Sequence, residues 1–184
     1  AAVDINTRFV SDNPHWNYIN YDSAHVGENW EDKKVDIVFF DTVHVKEQVL
    51  TETYYWWDHI KEGGLAVYHD TSWHGYRHHS RHRAAGKQPG SSRKGYDSYG
   101  GIDWDTPDRA VEVFFNVDLN GSERDINNDN FVDIYEDDYI KVEQNWAFLG
   151  LTIVKKKKHF DYKDNESIDW KDIFERRKFL LSHL

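Results

Sequence analysis

Val35 to Phe40, apolar and β-branched apart from Asp36, run up to Asp41, the pattern of a strand buried on both faces with a carboxylate at its carboxyl tip. From Val45 to Ile60 the period changes. Val49, Thr53 or Tyr54, Trp56, Trp57 and Ile60 recur at three- and four-residue steps, predicting a helix that passes Lys61 and Glu62 and stops at Gly63-Gly64. Leu65 to Tyr68 is a second apolar strand, closed by Asp70. Strand, helix and strand make one βαβ unit, whose two strands must lie parallel with a right-handed crossover. Both carboxylates therefore emerge at one edge of the sheet, where open α/β folds bind ligands.

Ahead of this unit, Ala1 to Ile5 and Trp16 to Tyr21 read as two short strands ending near Asp4 and Asp22. Beyond it, residues 73–105 lack periodicity and are rich in Gly, Ser and His, as in a long loop over a site or a solvated basic loop. Thr106-Pro107-Asp108 starts a helix through Phe114 and Phe115, with Thr as cap and Pro in the first turn. Tyr139 to Gln144 and Ala147 to Lys155 suit an antiparallel hairpin. Trp170 to Leu181 is an amphipathic helix whose Ile173, Phe174 and Leu180 pack on the domain or on a second subunit. The expected organisation is an α/β domain over 1–158, with the basic loop at 73–105 and an acidic insertion at 118–138, and a helical tail over 159–184.

Composition narrows the chemistry. The chain of 184 residues is long enough for one domain with its own core, and an aromatic fraction of 16% makes that core rich in rings. Without cysteine there is no disulfide, thiolate metal site or thiol nucleophile. A net charge of -10 argues against general nucleic-acid binding, and no apolar run is long enough to span a membrane. The chain is expected to be soluble, and cytoplasmic if it is an enzyme. The charge is uneven: Trp73 to Gly95 carries six Lys or Arg, four His and no acid, so Arg77, Arg81 and Arg83 would draw in an anionic or polyhydroxyl acceptor. His74, His78 and His82 are four apart, but Gly75 weakens a helical metal site there.

Within the acidic insertion, residues 125–136 follow the spacing of an EF-hand calcium loop. Asp125, Asn127, Asp129, Asp133 and Glu136 supply side-chain oxygens and Phe131 a backbone carbonyl, with Asn130 in place of the usual glycine. The expectation is a calcium ion clipping an insertion. The bland alternative is a polar surface loop.

The stretches Asp41-Thr42-Val43-His44, Lys61-Glu62-Gly63-Gly64-Leu65 and His69-Asp70-Thr71 resemble the fourth strand, helix and fifth strand of class I S-adenosylmethionine-dependent methyltransferases. The likeness is to the metal-assisted type that methylates hydroxyls of small molecules and sugars. It implies a Rossmann-like sheet, mostly parallel with a C-terminal antiparallel hairpin. It further implies Asp41, His69 and Asp70 as a magnesium-type site, His44 as catalytic base, and Asp4, Asp22 and Asp41 as cofactor-binding residues. Magnesium prefers oxygen donors, and His69 stands where the family often has Glu. No G-x-G-x-x-G occurs, so the family's first strand and glycine-rich loop are expected ahead of Ala1 in a longer protein, the sheet here being N-terminally incomplete. A partner that supplies the strand and a rearranged fold are the alternatives.

The expected function is thus S-adenosylmethionine-dependent O-methylation of a small-molecule or sugar hydroxyl, assisted by a divalent metal, with no nucleic-acid or membrane partner. The alternatives are a non-catalytic, calcium-binding structural or interaction module and a metal hydrolase using the same Asp and His residues.

Overall fold

The computed structural model describes residues 2–4, 15, 18–31, 34–42, 45–71, 107–119, 130–146, 150–163 and 165–182. The basic loop therefore lies outside the described residues, as do His44 and the calcium-type positions Asp125, Asn127 and Asp129.

Two short parallel strands, β1 (Ala2–Asp4) and β2 (Tyr18–Asn20), form a small sheet, and helix α1 (Ser23–Glu28) follows β2 directly. Strand β3 (Val35–Phe40) leads through Asp41 to helix α2 (Lys46–Trp56), a 3-10 turn (Trp57–His59) and strand β4 (Ile60–His69). Helix α3 (Pro107–Phe115), strands β5 (Val132–Glu136), β6 (Ile140–Asn145) and β7 (Leu151–Lys156), and helix α4 (Trp170–Leu181) complete the described elements. The main sheet runs β3-β4-β7-β6-β5, parallel between β3 and β4 and antiparallel from there on. The sheet is mixed and carries the expected antiparallel hairpin of β6 and β7, but of its four described pairings only β3–β4 is parallel, so it is not the mostly parallel sheet expected.

α2 is the centre of the helical layer, touched by α1, α3 and α4. Phe40, Ala66, Tyr68, Val142 and Val154 of the sheet join Leu50, Trp57, Val111, Phe114 and Ile173 of the helical side in one core. Rings dominate it: Trp57 lies 4.9 Å from Phe115, Phe114 4.8 Å from Tyr162, and Tyr54 4.7 Å from Trp170. Offset and edge-on ring pairs like these add about 0.5–1.5 kcal/mol each to area burial. Contacts of Trp170 and Phe174 with Tyr54 dock α4 onto α2 of its own chain, so the tail packs on the domain.

Two further expectations are corrected. First, β3 is not buried on both faces. Phe40 points into the core, while Ile37 and Phe39 are 59% and 56% exposed, because β3 is the end strand of its sheet and the described helices cover one face. Second, the helix ends at Trp56, well before the glycine pair. Trp57 and Ile60 are both needed in the core, and Gly63 and Gly64 serve a register shift in β4 instead. Val35 pairs Ile60 but Ile37 pairs Leu65, with Gly63 at φ +83° and a Cβ on Gly64 falling 2.8 Å from the Asp36 carbonyl. Residues 132–136, which include the last positions of the calcium-type spacing, form strand β5.

Candidate functional site

The parallel register decides the site. Phe40 pairs with Tyr68, so the residues that follow each strand come out side by side. His69 Nδ1 lies 3.3 Å from Asp41 Oδ1 and 3.1 Å from Asp70 Oδ1. Asp41 is half exposed, His69 about a third exposed, and Asp70 nearly closed off at 3%. One donor atom from each of the three residues lies within 4.8 Å of the other two, the one group of metal-ligand type among the described residues. Asp70 holds a left-handed φ of 59°, a conformation that a non-glycine residue adopts at some energetic cost and that turns its carboxylate toward His69.

Two carboxylates and an imidazole converging at 3.1 and 3.3 Å fit a divalent cation. Donors on adjacent corners around an ion with bonds of about 2.1 Å stand about 3 Å apart. His69 Nδ1 is shut off from solvent and makes no hydrogen bond of good geometry, which suits a ligand nitrogen. The mixed nitrogen and oxygen set fits manganese, iron, cobalt or zinc better than magnesium.

A second feature lies at the end of β2. An open cleft of about 500 Å³ is lined by Ile19, Asn20, Tyr21, His25, Val26, Asn29, Trp30 and Glu31. Tyr21 is 53% exposed there, with the His25 ring 4.9 Å from its own. Asp22 borders the cleft, yet its carboxylate is engaged. It caps α1 by accepting from the Ala24 amide at 3.1 Å, and Arg177 of α4 donates to its two oxygens at 2.6 and 2.5 Å. Asp22 is therefore first a cap and an ion-pair partner. Asp4 ends β1 opposite Asn20.

Buried polar side chains connect these places. Glu52, with no exposed surface, accepts from Thr42 Oγ1 at 2.8 Å, from Gln48 Nε2 at 2.8 Å and from the Ser23 hydroxyl. Burial pushes its carboxyl pKa up, against the lowering pull of those three donors. Gln48 in turn accepts from Arg177 Nε at 2.8 Å. At the other strand tip, Thr71 Oγ1 accepts from Gln144 Nε2 at 3.2 Å and lies 2.7 Å from Thr152 Oγ1; because the single Thr152 proton goes to Gln144 Oε1, Thr71 donates to Thr152. Sequence reasoning missed Glu52, Gln144 and Thr152, whose partners lie 4 to 81 residues away along the chain.

Three of the calcium-type positions, Phe131, Asp133 and Glu136, lie within the described residues. Phe131 is exposed beside β5, Asp133 lies 2.9 Å from Lys141, and Glu136 lies 3.1 Å from Lys157. The Lys141 ammonium holds the Asp133 carboxyl below its usual range.

Residues 4–71 match the family model described as a methyltransferase domain. The match runs from Asp4, the last residue of β1, to Thr71, and so takes in the cleft, Asp41, His69 and Asp70. No curated relative matches the chain. A solved structure, the MycE methyltransferase from the mycinamycin biosynthetic pathway in complex with Mg and SAH, is similar at 16% identity and a TM-score of 0.40, over 95% of this chain and 42% of that one. The chain thus spans less than half the length of that protein, and a likeness so distant assigns no chemistry. Among the described residues, no helix is long and apolar enough to cross a membrane.

Proposed function

We propose that this chain belongs to an S-adenosylmethionine-dependent methyltransferase that transfers a methyl group to a hydroxyl of a small molecule or sugar, with a divalent cation assisting. The match of residues 4–71 to a methyltransferase domain carries the proposal, because three metal-type ligands alone would serve a hydrolase equally well. Asp41, His69 and Asp70 would hold the ion. The cleft beside Tyr21 and His25 offers an exposed aromatic face for the purine of the methyl donor.

When bound, the donor supplies an activated methyl group and the ion lowers the pKa of the acceptor hydroxyl. The chain's part is to bring the reactants together, which is worth several kcal/mol of barrier, and to take up the proton. His44, three residues beyond Asp41 in sequence, is the proposed base. The arginines of the basic loop are proposed to favour anionic or polyhydroxyl acceptors. A calcium ion held by residues 125–136 would serve as a clip on the chain and not as part of this chemistry.

The test is release of S-adenosylhomocysteine from S-adenosylmethionine in the presence of a panel of sugars, polyols and catechols, with manganese or magnesium added. Acceptor-dependent release that needs the cation and is lost in Asp41→Asn supports the proposal. No release from a folded sample with any acceptor and cation contradicts it.

A further inference from the structure

Both strand tips carry the same dipeptide, Asp41-Thr42 after β3 and Asp70-Thr71 after β4. In each, the aspartate belongs to the candidate cation site and the threonine hydroxyl turns away into a buried polar group on another element. Thr42 Oγ1 donates to Glu52 of α2 at 2.8 Å. Thr71 Oγ1 donates to Thr152 of β7 at 2.7 Å and accepts from Gln144 of β6 at 3.2 Å, while Thr152 passes its own proton to Gln144 Oε1. Glu52, Gln144 and Thr152 have no exposed surface, and Thr71 has 1%.

Burying a carboxylate, an amide and hydroxyls is expensive, and apolar residues of similar size would stabilise the fold at least as well. These polar groups do something that apolar ones cannot, since hydrogen bonds fix direction as well as distance. At the second tip there is a conformation to hold: Asp70 sits at a φ of 59°. A positive φ at a non-glycine residue persists only where its surroundings over-determine it, and the bonds to Thr71 act one residue away.

We infer that the two threonines, with Glu52 behind Thr42 and the Gln144–Thr152 pair behind Thr71, are positioning residues that bolt Asp41 and Asp70 into their shared geometry around His69. Neither threonine touches the ion; each sets the backbone that carries a ligand. The Glu52 side extends further, through Gln48 to Arg177 and Asp22, so the tip of β3 is tied to the end of β2. The inference rests on Asp41, His69 and Asp70 being a cation site, and its test separates the two claims.

The variants are Thr42→Val and Thr71→Val, which keep shape and remove the hydroxyl, and Thr42→Ser and Thr71→Ser, which restore it. The first readout is manganese affinity, measured by electron paramagnetic resonance with Asp41→Asn as the reference for a lost ligand. Groups that orient metal ligands change affinity about 10- to 100-fold when removed, so each Val variant should weaken binding about 10-fold or more, and each Ser variant should stay within about 2-fold of the parent. The second readout is amide hydrogen exchange, which needs no ion. The amides at 41–42 and 70–71 should exchange faster in the matching Val variant, while those of α2 and β7 stay unchanged. Unchanged exchange at both tips overturns the positioning role, whatever the ion does. So does a loss of protection throughout the fold that the Ser variants fail to repair. If the parent binds no manganese while local exchange responds as expected, the bolts stand and the cation site falls.

Discussion

Lys156 offers a prediction whose size follows from its surroundings. It is 2% exposed, donates to the Trp57 carbonyl at 2.7 Å, and sits 4.9 Å above the Trp57 ring. The Trp57 carbonyl already accepts from the Ile60 amide in the 3-10 turn, and the ammonium adds a second bond to it. Burial is the main cause that pushes the Lys156 pKa from 10.5 down to about 8, helped by Lys34 and opposed by Asp58 and Glu62. Below pH 8 both folded and unfolded chains carry the proton, so the folded state bears the full cost of the buried charge. Between pH 8 and 10.5 the folded chain gives up the proton while the unfolded chain keeps it, and stability must rise with pH. A shift of this size corresponds to about 3 kcal/mol. We take about half of it, because the ammonium lies at the end of β7 near the partly exposed Asp58 and Glu62, where water relaxes around the charge. The gain from pH 7.5 to 9.5 is then about 1 kcal/mol, or roughly 2–4 °C in Tm for a chain this long. Thermal unfolding followed by circular dichroism, compared with Lys156→Met, isolates the effect. It should be read below pH 10, since Tyr68 and Tyr162 have pKa values raised by burial and begin to cost stability once unfolded tyrosines ionise. The parent should gain stability across this window and the Met variant should stay flat. A flat or falling parent, or the same rise in both, would refute the reasoning.

Two further outcomes test the packing. A Cβ on Gly27 would stand 2.7 Å from Trp56 Nε1, and that indole is held by its bond to the Ser23 carbonyl at 2.9 Å and cannot retreat. Gly27→Ala should therefore lower stability by about 1–2 kcal/mol in a urea titration, despite the better helix propensity of alanine; equal or greater stability would show that the indole moves freely. Ile37 and Phe39 form an exposed apolar pair on an end strand. Phe39→Lys should leave stability within about 0.5 kcal/mol and reduce self-association in light scattering; a large loss of stability would mean that the face is covered in solution.

Much of the frame was legible in the residues. The apolar run of β3, the turn chemistry at Pro107 and the alternation through β6 and β7 are local signals, and each produced its element. The convergence of Asp41 with His69 and Asp70 followed from one topological rule, that a βαβ unit brings both strand tips to the same edge. What could not be read depends on distant partners. The exposure of Phe39 is set by what covers a sheet face, and a hydrophobic run says only that a strand forms. The end of α2 at Trp56 reflects competition for core space by Trp57 and Ile60, which overrode the glycine stop signal. Asp22 was read for its chemistry, yet Ser23 to Glu28 make it a helix cap and Arg177, 155 residues away, makes it an ion-pair partner. Glu52 and Gln144 look like surface residues in sequence and are wholly buried.

The most direct test of the central claim is isothermal titration of S-adenosylmethionine into the chain, with and without manganese, against Tyr21→Ala. Saturable one-site binding that Tyr21→Ala weakens at least several-fold is the predicted result. A folded chain that takes up no S-adenosylmethionine, with or without the cation, would contradict it.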